Sequence, residues 1–142
     1  MAKRKTKDTD SAAKLKKSPF SAEELAEFQR IIVEKRKDTQ EDVDRMTALL
    51  DDSREDAAND SAYSFHMADA GTDAMEREKL YLMIARQQKY VGYLNRALDR
   101  IEDKTYGICK ITRQAISKER LMAVPHTEIS IEAKRQQSKR PN

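Results

Sequence analysis

Cys109 is the only cysteine in a chain of 142 residues, and the residues spaced around it have the rhythm of a metal knuckle. Thr112 follows at +3, Ser130 at +21 and Ala133 at +24. With cysteine at all four places the pattern would read C-x2-C-x17-C-x2-C, the spacing of a tetrahedral structural zinc site. As it stands, one position offers a thiolate. The hydroxyls of Thr112 and Ser130 are poor zinc ligands at neutral pH, and Ala133 offers no donor. His126 adds one nitrogen at most, and one Cys with one His is far short of a closed site. The stretch therefore predicts a degenerate, metal-free knuckle over 105–134, with no cofactor. Cys109 reads as a small core residue more readily than as a nucleophile, because the sequence places no base beside it.

A second group of chemistry-bearing residues lies in "DAANDSAYSFHMADAGTDAMEREK". Asp69 and Asp73 stand four apart and could share a helix face. Acid–base chemistry needs carboxylates held in a dry pocket, and an exposed tip has none. There is no P-loop, no glycine-rich turn and no G-x-S-x-G, and His66 and His126 are the only histidines, so an enzyme is not expected.

These groups need elements to position them. Charged residues make up 37% of the chain and aromatics 6%, with three Gly, three Pro and no Trp. That composition favours long solvated helices with a narrow apolar seam. Ser21 with Glu24 forms a capping box, Pro19 blocks helix upstream, and Phe20 can staple onto Leu25. Leu25, Phe28, Ile32, Val43, Met46 and Leu50 continue the apolar stripe, weakened at Arg36 and Thr39, in an uninterrupted run from Ala22 to Arg54. Leu80, Ile84, Gln87, Val91, Leu94, Leu98 and Ile101 step alternately by four and three, a heptad seam that should end near Asp103. Thr72 or Asp73 is the expected N-cap of this second helix, and residues 56–71 the connection. Two such stripes predict an antiparallel coiled-coil hairpin over 19–104 with an acidic tip near 56–73. "RQAI" suits a turn, and "SKERLMAV" a short helix capped by Ser117 and ended by Pro125. Tyr106, Ile108, Ile111, Ile116, Leu121, Val124, Ile129 and Ile131 are the apolar residues available to pack the knuckle without metal.

The formal net charge of +3 conceals a basic–acidic–basic order along the chain. Residues 1–18 read as a disordered basic arm and 135–142 as a basic tail. Either end could serve for solubility or for binding nucleic acid. The acidic tip is either ordinary solvation or a probe that presents carboxylates to something positive or metal-bound. The start "MAKRKTKDTD" has no apolar run behind its lysines, and a single cysteine leaves no internal disulfide, so a reducing cytoplasm is the expected location.

The stretch from about Phe65 to Lys134 resembles the DksA/TraR family of bacterial transcription regulators. The residues that carry the resemblance are "IEDKTYGIC" at the end of the long helix, "ISKERLMAVP" at Ile116 to Pro125, and "ADAGTD" at the tip. It is similar to a branch, found in the Bacteroidetes lineage, in which the zinc-finger cysteines are often incomplete. The resemblance implies a mostly α fold in which a coiled-coil hairpin carries a small C-terminal zinc-finger-like knuckle. It implies a non-enzymatic transcription regulator of the stringent-response type. Such a protein binds RNA polymerase by inserting its hairpin tip into the secondary channel, where it modulates initiation and often works with ppGpp. Asp69 matches the family's tip aspartate, and Ala70, Gly71 and Asp73 complete the polymerase probe. Gly71 replaces the usual alanine, and His66 stands where a further aspartate is common. Arg86 and Lys134 fall where ppGpp-related basic residues occur, whereas Tyr93 takes the place of a lysine. Family members often bind zinc; here the ligand positions are Cys109, Thr112, Ser130 and Ala133. The alternative from the residues alone is a structural coiled-coil protein, or a nucleic-acid-binding one that uses its basic ends.

Overall fold

A computed structural model describes Lys14–Asn59 and Met67–Lys139, without the side chains of residues 54–59 and 67–72. The chain is mostly α, with two long helices packed in hairpin fashion. Helix α1 spans Ala22–Asn59, α2 Met67–Asp103, α3 Lys118–Ala123 and α4 Ile131–Lys139. Among the described residues, extended pairing is limited to one antiparallel bridge, Ile108 to Ala115. The chain divides into two compact units, one built from residues up to Glu34 and from Leu94 onward, the other from Lys35–Tyr93.

In the first unit, α1 begins where the capping box requires. The Ser21 N–H donates to Glu24 Oε1 at 2.9 Å, and the Glu24 N–H donates to Ser21 Oγ at 3.1 Å. The Ser21 N–H bond holds the Glu24 carboxyl below the usual range, with Lys118 Nζ at 3.7 Å adding to the effect. Leu25, Phe28 and Ile32 from α1 are buried, as are Leu94, Ala97 and Ile101 from α2. Phe20 packs edge-on against Phe28, with ring centroids 5.5 Å apart, and Phe28 lies 5.2 Å from the Tyr106 ring. Three rings from three segments thus close the core where neither helix could bury its stripe alone.

The second unit holds the remaining lengths of the two helices. Val43 and Leu50 are buried on α1, while Leu80, Ile84, Gln87 and Val91 are half-buried on α2. Thr39 is buried too. Its hydroxyl donates to the Lys35 carbonyl at 2.7 Å, so the polar break in the stripe is satisfied within its own helix.

The structure departs from the sequence expectation in five places. α1 continues past Arg54 to Asn59, and α2 starts at Met67 rather than at a cap on Thr72 or Asp73. The alanines around Gly71 supply enough helix propensity to carry one glycine, whose cost is about 1 kcal/mol. Residues 60–66 of the expected tip lie outside the described residues. The arm expected over 1–18 is not free at its C-terminal end: the Leu15 N–H donates to the Arg113 carbonyl at 2.9 Å and the Ser18 N–H to the Lys104 carbonyl at 2.7 Å. Residues 1–13 lie outside the described residues. The basic tail is helical up to Lys139, because α4 begins at Ile131. Finally, Ile111 is 46% exposed and does not join the knuckle core.

Candidate functional site

The four knuckle positions come together, each with a local role. Cys109 is fully buried, and its Sγ accepts the Thr112 N–H at 3.4 Å. Burial pushes the thiol up. Hydrogen bonds to the sulfur from the Thr112 hydroxyl and N–H and from the Ser130 and Ile111 N–H groups outweigh it and bring the value down to about 7. The Thr112 hydroxyl also accepts the Gln114 N–H at 3.2 Å and so closes the turn beyond. Ser130 is buried, and its Oγ accepts the Ala133 N–H at 3.2 Å, which caps α4. Ala133 is buried beneath that first turn. These residues do not fit zinc. One thiolate is present, the two hydroxyls are engaged as caps, and no group of three or more His, Cys, Asp or Glu suited to a metal occurs among the described residues.

What joins the two halves of the knuckle is a different set of contacts. The Lys110 N–H donates to the Glu128 carbonyl at 2.9 Å. Around the same residue, Lys110 Nζ lies 3.2 Å from Glu128 Oε1, Arg100 Nη1 3.1 Å from Oε2, and Arg96 Nε 3.8 Å from Oε2. Burial raises the Glu128 carboxyl, but Lys110, Arg100 and Arg96 together hold it below the usual range. Arg100 Nη2 also reaches the His126 carbonyl at 3.4 Å. Burial, and then the neighbouring Arg100 and Arg120, keep the His126 imidazole below its ordinary value. Sequence reasoning missed Glu128, because neither its spacing nor its neighbours mark it as a hub. Sequence reasoning missed the Ser130 cap as well, although a serine before "IEAK" with Glu132 in the first helical turn was the signal available.

The Tyr106 ring is buried and its hydroxyl donates to the Pro125 carbonyl at 2.7 Å. Burial raises the phenol well above its ordinary value, so it serves as a donor and not as an acid. Gly107 follows at φ +86°, and a Cβ there would overlap the Phe20 ring. Ser117 caps α3 as expected, its Oγ accepting the Arg120 N–H at 3.1 Å, with Leu121 buried on the inner side.

The residues expected to form the polymerase probe fall at the start of α2. Asp69, Ala70 and Gly71 lie in the first turns of α2; their side chains are outside the described ones. Asp73 is exposed on the same helix. Arg86 is exposed on α2, and Lys134 is exposed on α4. No helix among the described residues is long and apolar enough to cross a membrane.

No family model matches the chain. Individual relatives do. The chain is 40% identical to general stress protein 16O of Bacillus subtilis over 68 residues, which is 48% of this chain and 42% of that protein. It is 32% identical to the RNA polymerase-binding transcription factor DksA of Caulobacter vibrioides over 74 residues, 52% of each. Its fold matches that of transcription factor DksA2 from Pseudomonas aeruginosa with a TM-score of 0.71 and 23% identity, over 81% of this chain and 83% of that one. The chain is DksA/TraR-like. It spans about half the length or less of the curated relatives it matches, 42% and 52%.

Proposed function

We propose that this protein is a non-enzymatic transcription regulator that binds RNA polymerase. In this reading the hairpin tip enters the secondary channel and Asp69, Ala70, Gly71 and Asp73 reach toward the active centre. The observation that carries it is the DksA fold combined with aspartates at the start of α2. A helix rises about 1.5 Å per residue, so an α1 of 38 residues is long enough to probe a deep channel. Carboxylates delivered there act on the electrostatics of the metal-bound centre and so on the stability of initiation complexes. Arg86 and Lys134 are exposed basic residues available to ppGpp. The protein would work in the bacterial cytoplasm, without a metal of its own.

Asp69→Asn tests this. The change removes a charge at nearly constant size and shape, so it tests the carboxylate and not the volume of the side chain. The variant is expected to keep its melting temperature and its affinity for polymerase, and to lose its effect on an rRNA-type promoter in a purified transcription assay. Regulation equal to that of the parent protein would rule out the tip as the working end.

A further inference from the structure

The N-terminal segment that docks on the knuckle carries charge to a defined place. Leu15 is tied to Arg113 and Ser18 to Lys104. Lys16 and Lys17 therefore lie between those two carbonyls, with Lys14 just before them. Lys104 and Arg113 are the non-glycine residues of positive φ among those described, at 64° and 61°. Their carbonyls are the two that hold the segment. Left-handed backbone at these turns directs each C=O toward the incoming chain, and it persists only where the surroundings fix it. Phe20, wedged over Gly107, anchors the far end. Lys14, Lys16, Lys17, Lys104 and Arg113 are all exposed. From Leu15 to Ser18 the chain spans at most about 10 Å, close to one Debye length at physiological salt, so these charges add.

We infer that this strip is a binding surface for the phosphate backbone of duplex DNA, apart from the hairpin tip and independent of the polymerase reading. The charge density is the first reason. Duplex DNA carries about one negative charge per 1.7 Å of axis, so about 10 Å offers roughly six phosphates to five cations. Glu102 and Asp103 beside Lys104 are exposed and reduce the field without cancelling it. The second reason is what the strip lacks. Its one apolar member is the half-buried Leu15, with no aromatic. A protein partner needs an apolar or aromatic anchor, and a single strand needs rings on which to stack bases. A surface of lysine and arginine alone contacts phosphates, without reading sequence.

The test uses the full-length protein and a fluorescent 20-base-pair duplex, with anisotropy measured across a salt series. One variant carries Lys14→Gln, Lys16→Gln and Lys17→Gln. A second, charge-matched variant carries Lys79→Gln on α2 and Arg135→Gln and Lys139→Gln on α4. The first is expected to bind more than tenfold more weakly near 0.1 M salt. Its log–log salt slope should be shallower by about 0.9 for each lysine that touches a phosphate. The second should stay within about threefold of the parent, and both should keep the parent's melting temperature, because all six side chains are exposed. Equal losses in the two variants would show diffuse attraction and overturn the site. So would the absence of salt-dependent binding by the parent. Binding of poly-glutamate as tight as that of the duplex would reassign the surface to acidic protein partners and overturn the inference as well.

Discussion

The Thr112 N–H points at Cys109 Sγ across 3.4 Å, the kind of contact a zinc knuckle makes to its ligand sulfur, in a chain that has one such sulfur. The backbone turn aims its N–H donors at that sulfur. Its donors now act on a single thiol, and this has a consequence in pH.

Cys109 titrates at about 7 in the fold against 9.0 ordinarily. A lowered acid releases its proton more readily when folded, so stability rises with pH across roughly 7 to 9 and this contribution is lost as pH falls through 7. His126 acts in the same direction lower down: its lowered value makes the folded state resist protonation, so stability falls as pH drops below its ordinary 6.5. Chemical unfolding at pH 6, 7, 8 and 9 is expected to show rising stability. Cys109→Ala should flatten the curve above pH 7 and leave the lower limb. A curve of unchanged shape would mean that the N–H donors do not favour the thiolate.

Restoring the ligands should restore the metal. Cys109 and Ser130 meet through the Ser130 N–H, and Ser130 and Ala133 through a 3.2 Å hydrogen bond. Thr112→Cys, Ser130→Cys and Ala133→Cys together would set four thiolates around one point. The triple variant is expected to take up one zinc per chain, read by elemental analysis, and to melt at a higher temperature with the metal than without it. Structural zinc sites are worth about 10 kcal/mol or more in small domains, which far exceeds the loss of the Ser130 cap at about 1 kcal/mol. A variant that folds yet takes up no zinc would show that the knuckle has drifted from tetrahedral geometry.

The clearest steric constraint is at Gly107. Gly107→Ala adds a methyl group into the Phe20 ring at a backbone angle that alanine resists. Left-handed strain and overpacking together predict a loss of about 2–4 kcal/mol in denaturant unfolding. A loss below about 1 kcal/mol would show that Phe20 swings aside freely.

Much of this was legible before the structure. The capping box at Ser21 and Glu24, the stripe through Leu25, Phe28 and Ile32, and the Ser117 cap are local patterns, and local patterns survive in a sequence read residue by residue. The positions Cys109, Thr112 and Ser130 were marked by their spacing alone, and the hydrogen bonds from Thr112 and Ser130 to the Cys109 sulfur bring them together. The Glu128 hub and the docking of Leu15 and Ser18 were not, because both depend on pairings between segments far apart in sequence. Lys104 and Arg113 gave no sign of left-handed backbone, since neither is a residue that favours it. The start of α2 was misplaced by weighting one glycine above the alanines around it.

The contact between Phe28 and Tyr106 sets an order of events during synthesis. The two rings are about eighty residues apart in the chain, whereas the Lys35–Tyr93 unit closes within itself, so the lower-contact-order unit is the one free to form first. The ribosome must deliver the knuckle before the first thirty residues find their core. Until then Phe28 lacks the Tyr106 ring it packs on, in a nascent chain that is already about three-quarters built. A chaperone that holds this N-terminal stretch, or a codon-dependent pause ahead of Tyr106, would act on the yield of folded protein without altering any contact in it.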